Sequence, residues 1–336
     1  MIKIGSTTID TNVFLAPMSG ITDLPFRLIA AEHGARFGFF EMLDANSFFY
    51  GSKRTITMMK THKNDTPVAA QLVGREPDIM LLAAERIFQE AKVAFIDINA
   101  ACPAKKVLKK RAGAYLLRDE TTLYKIISRL AGSLPVPVTV KLRIGYDDKA
   151  TTDIAGIARR CEEAGASAIF VHGRTRLQGY SGVVDYAPIK AMKDSVTIPV
   201  FGSGDVFSPE LGQKMLSMTG CDGILVARGA LGNPWIFDDI DHYLKNGSAR
   251  PRRDIRTVKE TLKRHLAYVE KHNSSRGKIG VMRKTSLWYL KHIPNAKRIR
   301  SEICTVANTY EKMIEFIDTI QEERDEVPYG VSGLQH

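Results

Sequence analysis

The chain has 336 residues, of which 44% are hydrophobic and 25% are charged, and its formal net charge is +11. No apolar run is long enough to cross a bilayer, and the N-terminus lacks a basic segment followed by an apolar one. The composition therefore excludes an integral membrane protein, and the length suits one large domain with a smaller one.

The cysteine pattern gives no sign of a metal site or a disulfide framework. Cys102, Cys161, Cys221 and Cys304 are separated by 59, 60 and 83 residues, so no pair has the spacing of zinc ligands or of a thioredoxin motif. The histidines have no ligand spacing either. We expect no metal, no disulfide and a reducing, cytoplasmic environment.

Short apolar runs alternate with amphipathic helical patterns through most of the chain. The predicted strands are Val13–Ala16, Phe37–Met42, Val68–Leu72, Phe95–Ile98, Val138–Leu142, Ala168–Val171, Pro199–Phe201 and Gly223–Ala227. The helical patterns include Asp78–Ala91, Glu120–Leu130, Asp153–Ala164 and Pro209–Met218. Eight strands alternating with helices predict a (β/α)8 TIM barrel. The structural alternative is a doubly wound open sheet, but no G-x-G-x-x-G fingerprint follows the first strand.

Polar residues follow the predicted strands, at the end of a barrel where active sites lie. They include Glu41, Gln71, Asn99, Cys102, Lys141, Arg143, His172, Asp205 and Arg228. Cys102 is notable because it follows a buried strand, precedes a proline and has Lys105 and Lys106 nearby, which suggests a proton donor facing a polyanion.

The last two strand ends have the pattern of a phosphate site. Gly202, Gly204, Gly229 and Gly232 would let backbone amides approach an anion, and Arg228 adds a positive charge. Ordinary turn glycines are the simpler reading of each loop alone. Together with Gln71, Lys141 and His172, the two loops favour a phosphorylated cofactor.

After Leu244 the composition changes to a polar segment and then to helical patterns without strand signals. We predict a barrel at residues 1–244, a linker at 245–254 and an all-α helical domain at 255–328. Between residues 245 and 300 there are 17 Lys and Arg against 3 Asp and Glu, a local net charge of +14. A solvated helix face is the alternative, but this excess favours a nucleic-acid surface. Its candidate contacts are Arg283, Lys284, Lys291, Lys297, Arg298 and Arg300.

Several stretches resemble the motifs of the tRNA-dihydrouridine synthases, most of all the bacterial B-type members. They are Asn12–Arg27, Asp97–Val107, Val171–Arg176, Ala227–Gly229 and, in the helical part, Met282–Lys291. The resemblance covers most of the chain with both parts in order. It implies an FMN-binding barrel followed by a helical domain that binds tRNA.

The resemblance also implies roles for single residues. FMN would be held by Pro17, Met18, Gln71, Lys141, His172, Gly202, Ser203, Gly204, Arg228 and Gly229. The uracil would be faced by Asn99, Lys141, Arg143 and Tyr180, with Lys105 and Lys106 turned toward RNA phosphates. Cys102 would be the general acid.

The implied reaction is reduction of the uridine C5–C6 double bond in tRNA. NADPH, or NADH, would reduce the flavin, hydride would pass to C6, and Cys102 would protonate C5. We expect a monomer with tRNA as its partner, no membrane contact and no obligate protein partner.

Two positions depart from the family pattern. Ala101 stands where Asn-x-Gly-Cys-Pro has glycine, and Ser203 stands where Gly-Asn-Gly-Asp has asparagine. If position 101 requires a positive φ, alanine would strain the loop that carries Cys102. Ala101 motivates one alternative function, a tRNA-binding chaperone with impaired reductase activity. A second alternative is a dihydroorotate-dehydrogenase-like enzyme acting on a free pyrimidine, against which the basic segment argues.

Overall fold

The computed structural model describes residues 1–147, 152–274, 277–291, 293–306 and 308–320. Its strands are β1 Ile2–Ile4, β2 Thr7–Ile9, β3 Val13–Leu15, β4 Gly38–Phe39, β5 Leu43–Asp44, β6 Val68–Val73, β7 Ile96–Asn99, β8 Val138–Arg143, β9 Ile169–His172, β10 Val200–Ser203 and β11 Gly223–Val226. β1 and β2 form an antiparallel hairpin apart from the main sheet.

The main sheet is a parallel barrel. Its strands are ordered β3-β11-β10-β9-β8-β7-β6-β4, and β5 pairs with β6 beyond β4. The amide of Leu15 donates a 3.0 Å hydrogen bond to the carbonyl of Phe37, which joins the first strand to the second and closes the ring. The TIM barrel prediction is confirmed, and the doubly wound alternative is wrong.

The second predicted strand differs from expectation. Phe37–Met42 is not one strand, because the ladder is interrupted between β4 and β5. At the interruption the buried carboxylate of Glu41 accepts a hydrogen bond from the amide of Gly20, in the loop after β3. The break therefore brings two neighbouring strand ends together at the barrel mouth.

Helices surround the barrel and continue beyond it. They are α1 Leu24–Glu32, α2 Ala45–Phe49, α3 Lys53–Thr57, α4 Pro77–Glu90, α5 Lys105–Leu108, α6 Glu120–Ala131, α7 Ile154–Glu163, α8 Ala187–Ser195, α9 Pro209–Thr219, α10 Ile236–Asn246, α11 Ile255–His272, α12 Lys278–Tyr289, α13 Ala296–Val306 and α14 Tyr310–Thr319. Short 3-10 turns occupy Gly113–Leu117 and Arg228–Ala230. Side-chain caps from Asp23, Asp119, Asp153 and Ser208 begin α1, α6, α7 and α9 by accepting a backbone N–H that has no partner within the helix.

The interior of the barrel changes character along its axis. The bottom is filled by aromatic rings that are 0% exposed: Phe14, Phe37, Phe39, Phe95, Phe170 and Phe201. Ring centroids of Phe14 and Phe201 lie 4.6 Å apart, and those of Phe170 and Phe201 lie 4.9 Å apart. Because side chains alternate along a strand, the residues two positions after Phe95, Phe170 and Phe201 also point inward, and these are polar: Asp97, His172 and Ser203. Aromatic side chains therefore close the bottom of the barrel, and the polar side chains lie at the top.

Helices α11–α14 share a second core. Its buried members include Leu262, Leu266, Met282, Ile303 and Met313. α10 runs to Asn246, two residues into the predicted linker, and residues 321–328 of the predicted helical domain lie outside the described residues. In the part of the chain that is described, no helix is long and apolar enough to span a membrane.

The helical part packs directly against the barrel. Arg264 on α11 pairs with Glu32 on α1 at 3.1 Å, and Asn273 donates to Asp23 at 3.0 Å. Gly232 has a φ of +68°, and a Cβ atom there would lie 2.4 Å from the carbonyl oxygen of Trp288. Only a glycine fits this approach without displacing α12.

Candidate active site

Gln71, Asp97 and Asn99 form a buried hydrogen-bond network at the mouth. Gln71 Nε2 donates to Asp97 Oδ2 at 2.7 Å, and Asn99 Nδ2 donates to Gln71 Oε1 at 2.7 Å. Thr139 Oγ1 donates to Asp97 Oδ1 at 2.7 Å. These contacts follow from strand register, because Asp97 on β7 lies between Gln71 on β6 and Thr139 on β8.

Lys141 lies one step above Thr139, opposite Asn99 in the register of β7 and β8. Burial, and secondarily the charge of Arg143, lower the pKa of its ammonium to about 8, against the opposing effect of Asp97. Burial raises the pKa of Asp97 to about 6, while hydrogen bonds from Gln71 and Thr139 counteract the rise. No described residue provides a hydrogen-bond partner for the ammonium of Lys141. The side chain of Lys141 is partly exposed, so its ammonium is open to an anion or a polar ligand at the mouth.

His172 is neutral at physiological pH. Burial is the main cause that lowers its pKa to about 2, and Lys141, Arg143, Arg174 and Arg228 add to it. A neutral imidazole can both donate and accept a hydrogen bond. Gly204 packs against this ring, since a Cβ atom at Gly204 would lie 3.0 Å from His172 Cδ2.

The loops after β10 and β11 are rich in glycine and pack closely against neighbouring protein atoms. Gly204 has a φ of +127°, and a Cβ atom at Gly229 would lie 1.9 Å from the carbonyl oxygen of Val206. Gly202 and Ser203 are buried at the end of β10. Arg228 is held by Asp205 at 2.7 Å and lies over the rings of Tyr180 and Phe207, at 5.0 and 5.4 Å from their centroids. Glycine-rich loops thus lie beside a fixed cation, a combination that is typical of a phosphate site.

Cys102 begins a loop that Asn99 holds from below. The amides of Ala101 and Cys102 donate to Asn99 Oδ1 at 3.1 and 2.8 Å, and the Cys102 carbonyl accepts from the amide of Ala114 at 3.1 Å. The thiol side chain is partly buried, and all four cysteines are free. Ala101 does not have a positive φ; Arg111, Asp205 and Asn295 are the non-glycine residues that do among those described. The departure from glycine therefore introduces no backbone strain.

Arg143 acts as a support between two loops. It is 2% exposed, and it donates to the carbonyls of Ala101, Thr175 and Gly179, each at 2.8 Å. Its guanidinium also lies 5.6 Å from the ring centroid of Tyr180, which is 59% exposed at the mouth. The structure thus joins Arg143 to the Cys102 loop, and its contact with uracil stays a prediction.

The loop after β3 carries Pro17 and Met18, both partly buried. The amide of Met18 bonds the hydroxyl of Thr22 at 3.1 Å, which keeps the loop compact. The ammonium of Lys284 on α12 donates to the carbonyl of Gly20 and lies 5.3 Å from the ring centroid of Trp288. Lys284 therefore lies against the barrel, and RNA contact by it stays a prediction.

The other predicted cations are mostly on the surface. Lys105 and Lys106 are exposed on α5, three and four residues after Cys102. Lys291, Lys297 and Arg298 are exposed, whereas Arg283 and Arg300 are partly buried. Arg298 pairs with Glu302 on its own helix at 2.9 Å. The structure leaves positive charge near the mouth and on α13.

Sequence reasoning assigned no role to three residues of the site: Asp97, Arg174 and Asp205. Arg174 is 2% exposed and pairs with Asp205, which also holds Arg228. The signal was present, since each lies within or beside a motif used for the resemblance. In the described ranges no group of three or more His, Cys, Asp or Glu could hold a metal ion.

Comparison with known proteins gives a consistent result. The family model for dihydrouridine synthases matches residues 14–324. The chain is 37% identical to tRNA-dihydrouridine synthase B of Pseudomonas aeruginosa over 92% of either chain. It is 35% identical to a probable tRNA-dihydrouridine synthase of Rickettsia bellii, over 95% of this chain and 99% of the relative.

Solved structures of similar fold include an old yellow enzyme homologue from Zymomonas mobilis, with a TM-score of 0.52 and 12% identity over 76% of this chain and 94% of that one. Histamine dehydrogenase from Rhizobium sp. 4-9 gives a TM-score of 0.56 and 12% identity over 80% of this chain and 50% of that one. At this identity the likeness concerns the barrel fold alone.

Proposed function

The chain belongs to the dihydrouridine synthase family, and on that premise we propose that it reduces uridine to 5,6-dihydrouridine in tRNA, with FMN as its flavin and NADPH as reductant. The observation that carries the proposal is that the family match spans both the barrel and the helical part. The polar strand ends that the reaction needs meet at one mouth.

The residues present fit FMN. The ammonium of Lys141 lies on a partly exposed side chain at the mouth, so it could bond the polar edge of a flavin ring. The glycine-rich loops at Gly204 and Gly229, with Arg228 beside them, are the proposed phosphate site. Gln71 and the neutral His172 supply further polar groups to the ring, and Pro17, Met18, Gly202 and Ser203 complete the predicted site. Reduced FMN, when bound, supplies the hydride for C6 of uracil.

Cys102 is proposed as the proton donor to C5. Its loop is fixed by Asn99 below and by Ala114 beside it, which limits where the thiol can lie. A proton donor at a fixed position contributes about 10²–10⁴ to the rate of a reaction of this kind. Arg143 lies next to this loop and Tyr180 offers an exposed ring at the mouth, and both are proposed to face the uracil. Asn99 is the third predicted uracil contact, but its oxygen and amide are already engaged by the loop and by Gln71, so its main part is to hold the loop.

The RNA is held by charge outside the barrel. The target base has to leave the folded RNA to reach a mouth of this kind, at a cost of about a few kcal/mol. Lys105 and Lys106 beside the mouth, and Arg283, Lys284, Lys291, Lys297, Arg298 and Arg300 on the helical part, are the proposed phosphate contacts. We expect the protein to act as a monomer in the cytoplasm, where its substrate is made.

The test is to incubate the purified protein with FMN, NADPH and unmodified tRNA and to map dihydrouridine in the product. We expect dihydrouridine only when all components are present. Reoxidation of the reduced flavin by orotate or fumarate would instead indicate a free-pyrimidine enzyme. Tight tRNA binding without product would indicate a chaperone, although the relaxed backbone at Ala101 removes the main reason for that alternative.

A further inference from the structure

The carboxylate of Asp97 lies at the centre of the barrel mouth, yet no role in cofactor binding or catalysis follows from its position. It is 0% exposed, and both neighbours that bond it, Gln71 and Thr139, are also buried. Burying a carboxylate is unfavourable unless its oxygens are paired. Both oxygens of Asp97 are paired, each by one side chain on an adjacent strand.

The hydrogen bonds around Asp97 run in one direction. An ionised carboxylate only accepts, so Gln71 must turn its Nε2 toward Asp97 and its Oε1 away. Gln71 Oε1 then requires a donor, and Asn99 supplies its Nδ2 at 2.7 Å. The Oδ1 of Asn99 consequently faces the loop above, where it accepts the amides of Ala101 and Cys102 at 3.1 and 2.8 Å.

Reversal of either amide would break several of these bonds at once. If Gln71 turned over, its Oε1 would face the carboxylate of Asp97 and its Nε2 would face the Nδ2 of Asn99. If Asn99 also turned over, its Nδ2 would face the amides of Ala101 and Cys102. Each of these contacts brings two donors or two acceptors together, and it leaves buried polar groups without a hydrogen bond. This series of hydrogen bonds is fixed at one end by the backbone of the Cys102 loop and at the other end by Asp97.

We propose that Asp97 is a positioning residue that fixes the side chains of Gln71 and Asn99 and, through Asn99, the loop that carries Cys102. Asp97 touches neither cofactor nor substrate, but it sets the cofactor-binding amide and the proton donor relative to one another. This inference rests on the proposed function for the roles of Gln71 and Cys102. The direction of the hydrogen bonds rests on the geometry alone.

A pair of isosteric substitutions tests the proposal. In Asp97→Asn, the new Oδ1 still accepts from Gln71, and the new amide donates to the hydroxyl of Thr139, which can turn to accept. In Thr139→Val, the carboxylate still accepts from Gln71. In the double variant the new amide faces a methyl group, so one buried donor lacks a partner and Gln71 loses its firm support.

Two readouts follow the consequences without using turnover. One is the dissociation constant of FMN, and the other is the alkylation rate of Cys102 by iodoacetamide in the apoprotein, with the partly buried Cys304 as the internal reference thiol. We expect each single variant to remain within about 1.5-fold of wild type in both readouts, so that the product of the two single effects stays near twofold. The double variant should change both by about tenfold, the equivalent of roughly 1.4 kcal/mol.

Two further variants serve as controls. Asp97→Asn/Thr139→Ser restores a hydroxyl acceptor and should return both readouts to near wild type. Asp222→Asn is a matched loss of a carboxylate at the closed end of the barrel, where Asp222 accepts from the amide of Val200 at 2.8 Å. It should lower the unfolding temperature and leave FMN affinity and Cys102 alkylation unchanged.

The proposal is overturned if the double variant shows only the product of the two single effects, or if its stability falls while both readouts stay at wild-type values. Should the double variant not fold, Asp97→Val removes the acceptor with a residue that suits a buried strand, and the same two changes are required of it. If the wild-type protein bound no FMN, the proposed function would fail, whereas alkylation of the apoprotein would still test the support of the loop.

Discussion

The barrel mouth and the helical part both depend on positive charge, but they hold it in opposite ways. At the mouth, Arg143 is 2% exposed and fixed by three backbone carbonyls, and Lys141 is buried enough that its pKa falls to about 8. On the helical part, Lys291 and Lys297 are exposed to solvent. Residues 245–300 carry 17 cationic against 3 anionic side chains, so no single charge there dominates.

This difference indicates two uses of the same chemical group. Buried charges at fixed positions act on nearby atoms in a medium of low dielectric constant, where each interaction is strong and specific. Exposed charges attract a polyanion collectively, and salt weakens them. Substitutions at the mouth should therefore have large effects that salt hardly changes, and substitutions on the helical part should have small effects that salt controls.

The largest effect is expected for Cys102→Ala. Removal of the proposed proton donor should lower the rate of dihydrouridine formation by about 100-fold or more, while NADPH should still reduce the bound flavin. Both are measured with the same enzyme, by mapping dihydrouridine and by following flavin absorbance. Cys304→Ala is the matched control and should be unchanged; product formation by Cys102→Ala at the wild-type rate would exclude Cys102 as the acid.

The next effect concerns the contact between the two regions. In Gly232→Ala the new methyl group would meet the carbonyl of Trp288, and we expect a loss of about 2 kcal/mol in the free energy of unfolding and a higher KM for tRNA. Gly220→Ala is the control, because Gly220 has a similar φ of +65° with no atom within 4 Å of the added Cβ. Equal destabilisation by the two variants would show that backbone strain, and not the contact with α12, is responsible.

Lys141→Met should raise the stability of the apoprotein and weaken FMN binding. A lowered pKa means that the folded apoprotein holds a charge it disfavours below about pH 8, and this penalty is relieved as pH rises from about 8 toward 10.5. At pH 7 the variant should therefore unfold about 2–4 °C higher than wild type as apoprotein, the equivalent of roughly 1 kcal/mol. It should also bind FMN about tenfold more weakly.

The unfolding temperatures of wild type and Lys141→Met are measured as a function of pH, and the FMN affinity of each is measured by titration. The gain in stability over wild type should shrink between pH 8 and 10.5, since wild-type Lys141 is then losing its proton. If Lys141→Met unfolded at a lower temperature than wild type at pH 7, the charge of Lys141 would not be destabilising in the folded apoprotein.

The smallest effect is expected for Lys297→Ala. Loss of one exposed phosphate contact should weaken tRNA binding only a few fold and reduce the slope of log affinity against log salt by about 0.7–0.9. Lys214→Ala, an exposed lysine on α9 of the barrel, is the control and should leave the slope unchanged. A large effect at Lys297 that did not depend on salt would undo the contrast between the two regions.

The sequence predicted the strands and the edge at which they end, but not the partners of the polar side chains. Apolar runs such as Val138–Leu142 become buried strands, here Val138–Arg143, and the ends of parallel strands necessarily meet. The interruption at Glu41 was missed because it depends on the amide of Gly20 in another loop.

Partners that are distant in the chain were also missed. Arg143 bonds the carbonyls of Thr175 and Gly179, more than 30 residues later, and Lys284 bonds Gly20. The strand pattern predicts that a cationic side chain lies at the mouth, but it does not predict that backbone carbonyls accept its hydrogen bonds. For the same reason Asp97 read as an ordinary strand residue, because its role depends on register with Gln71 and Thr139 across two strand pairs.

The layer of phenylalanine rings at the bottom of the barrel has a kinetic consequence. Because those rings are 0% exposed, nothing of nucleotide size can enter from that end. On the proposed function, the reductant and the RNA base would both use the opposite opening. If they use it in turn, the oxidised dinucleotide leaves before the base arrives. Double-reciprocal plots of initial rate at several tRNA concentrations should accordingly give parallel lines, the pattern of a ping-pong enzyme.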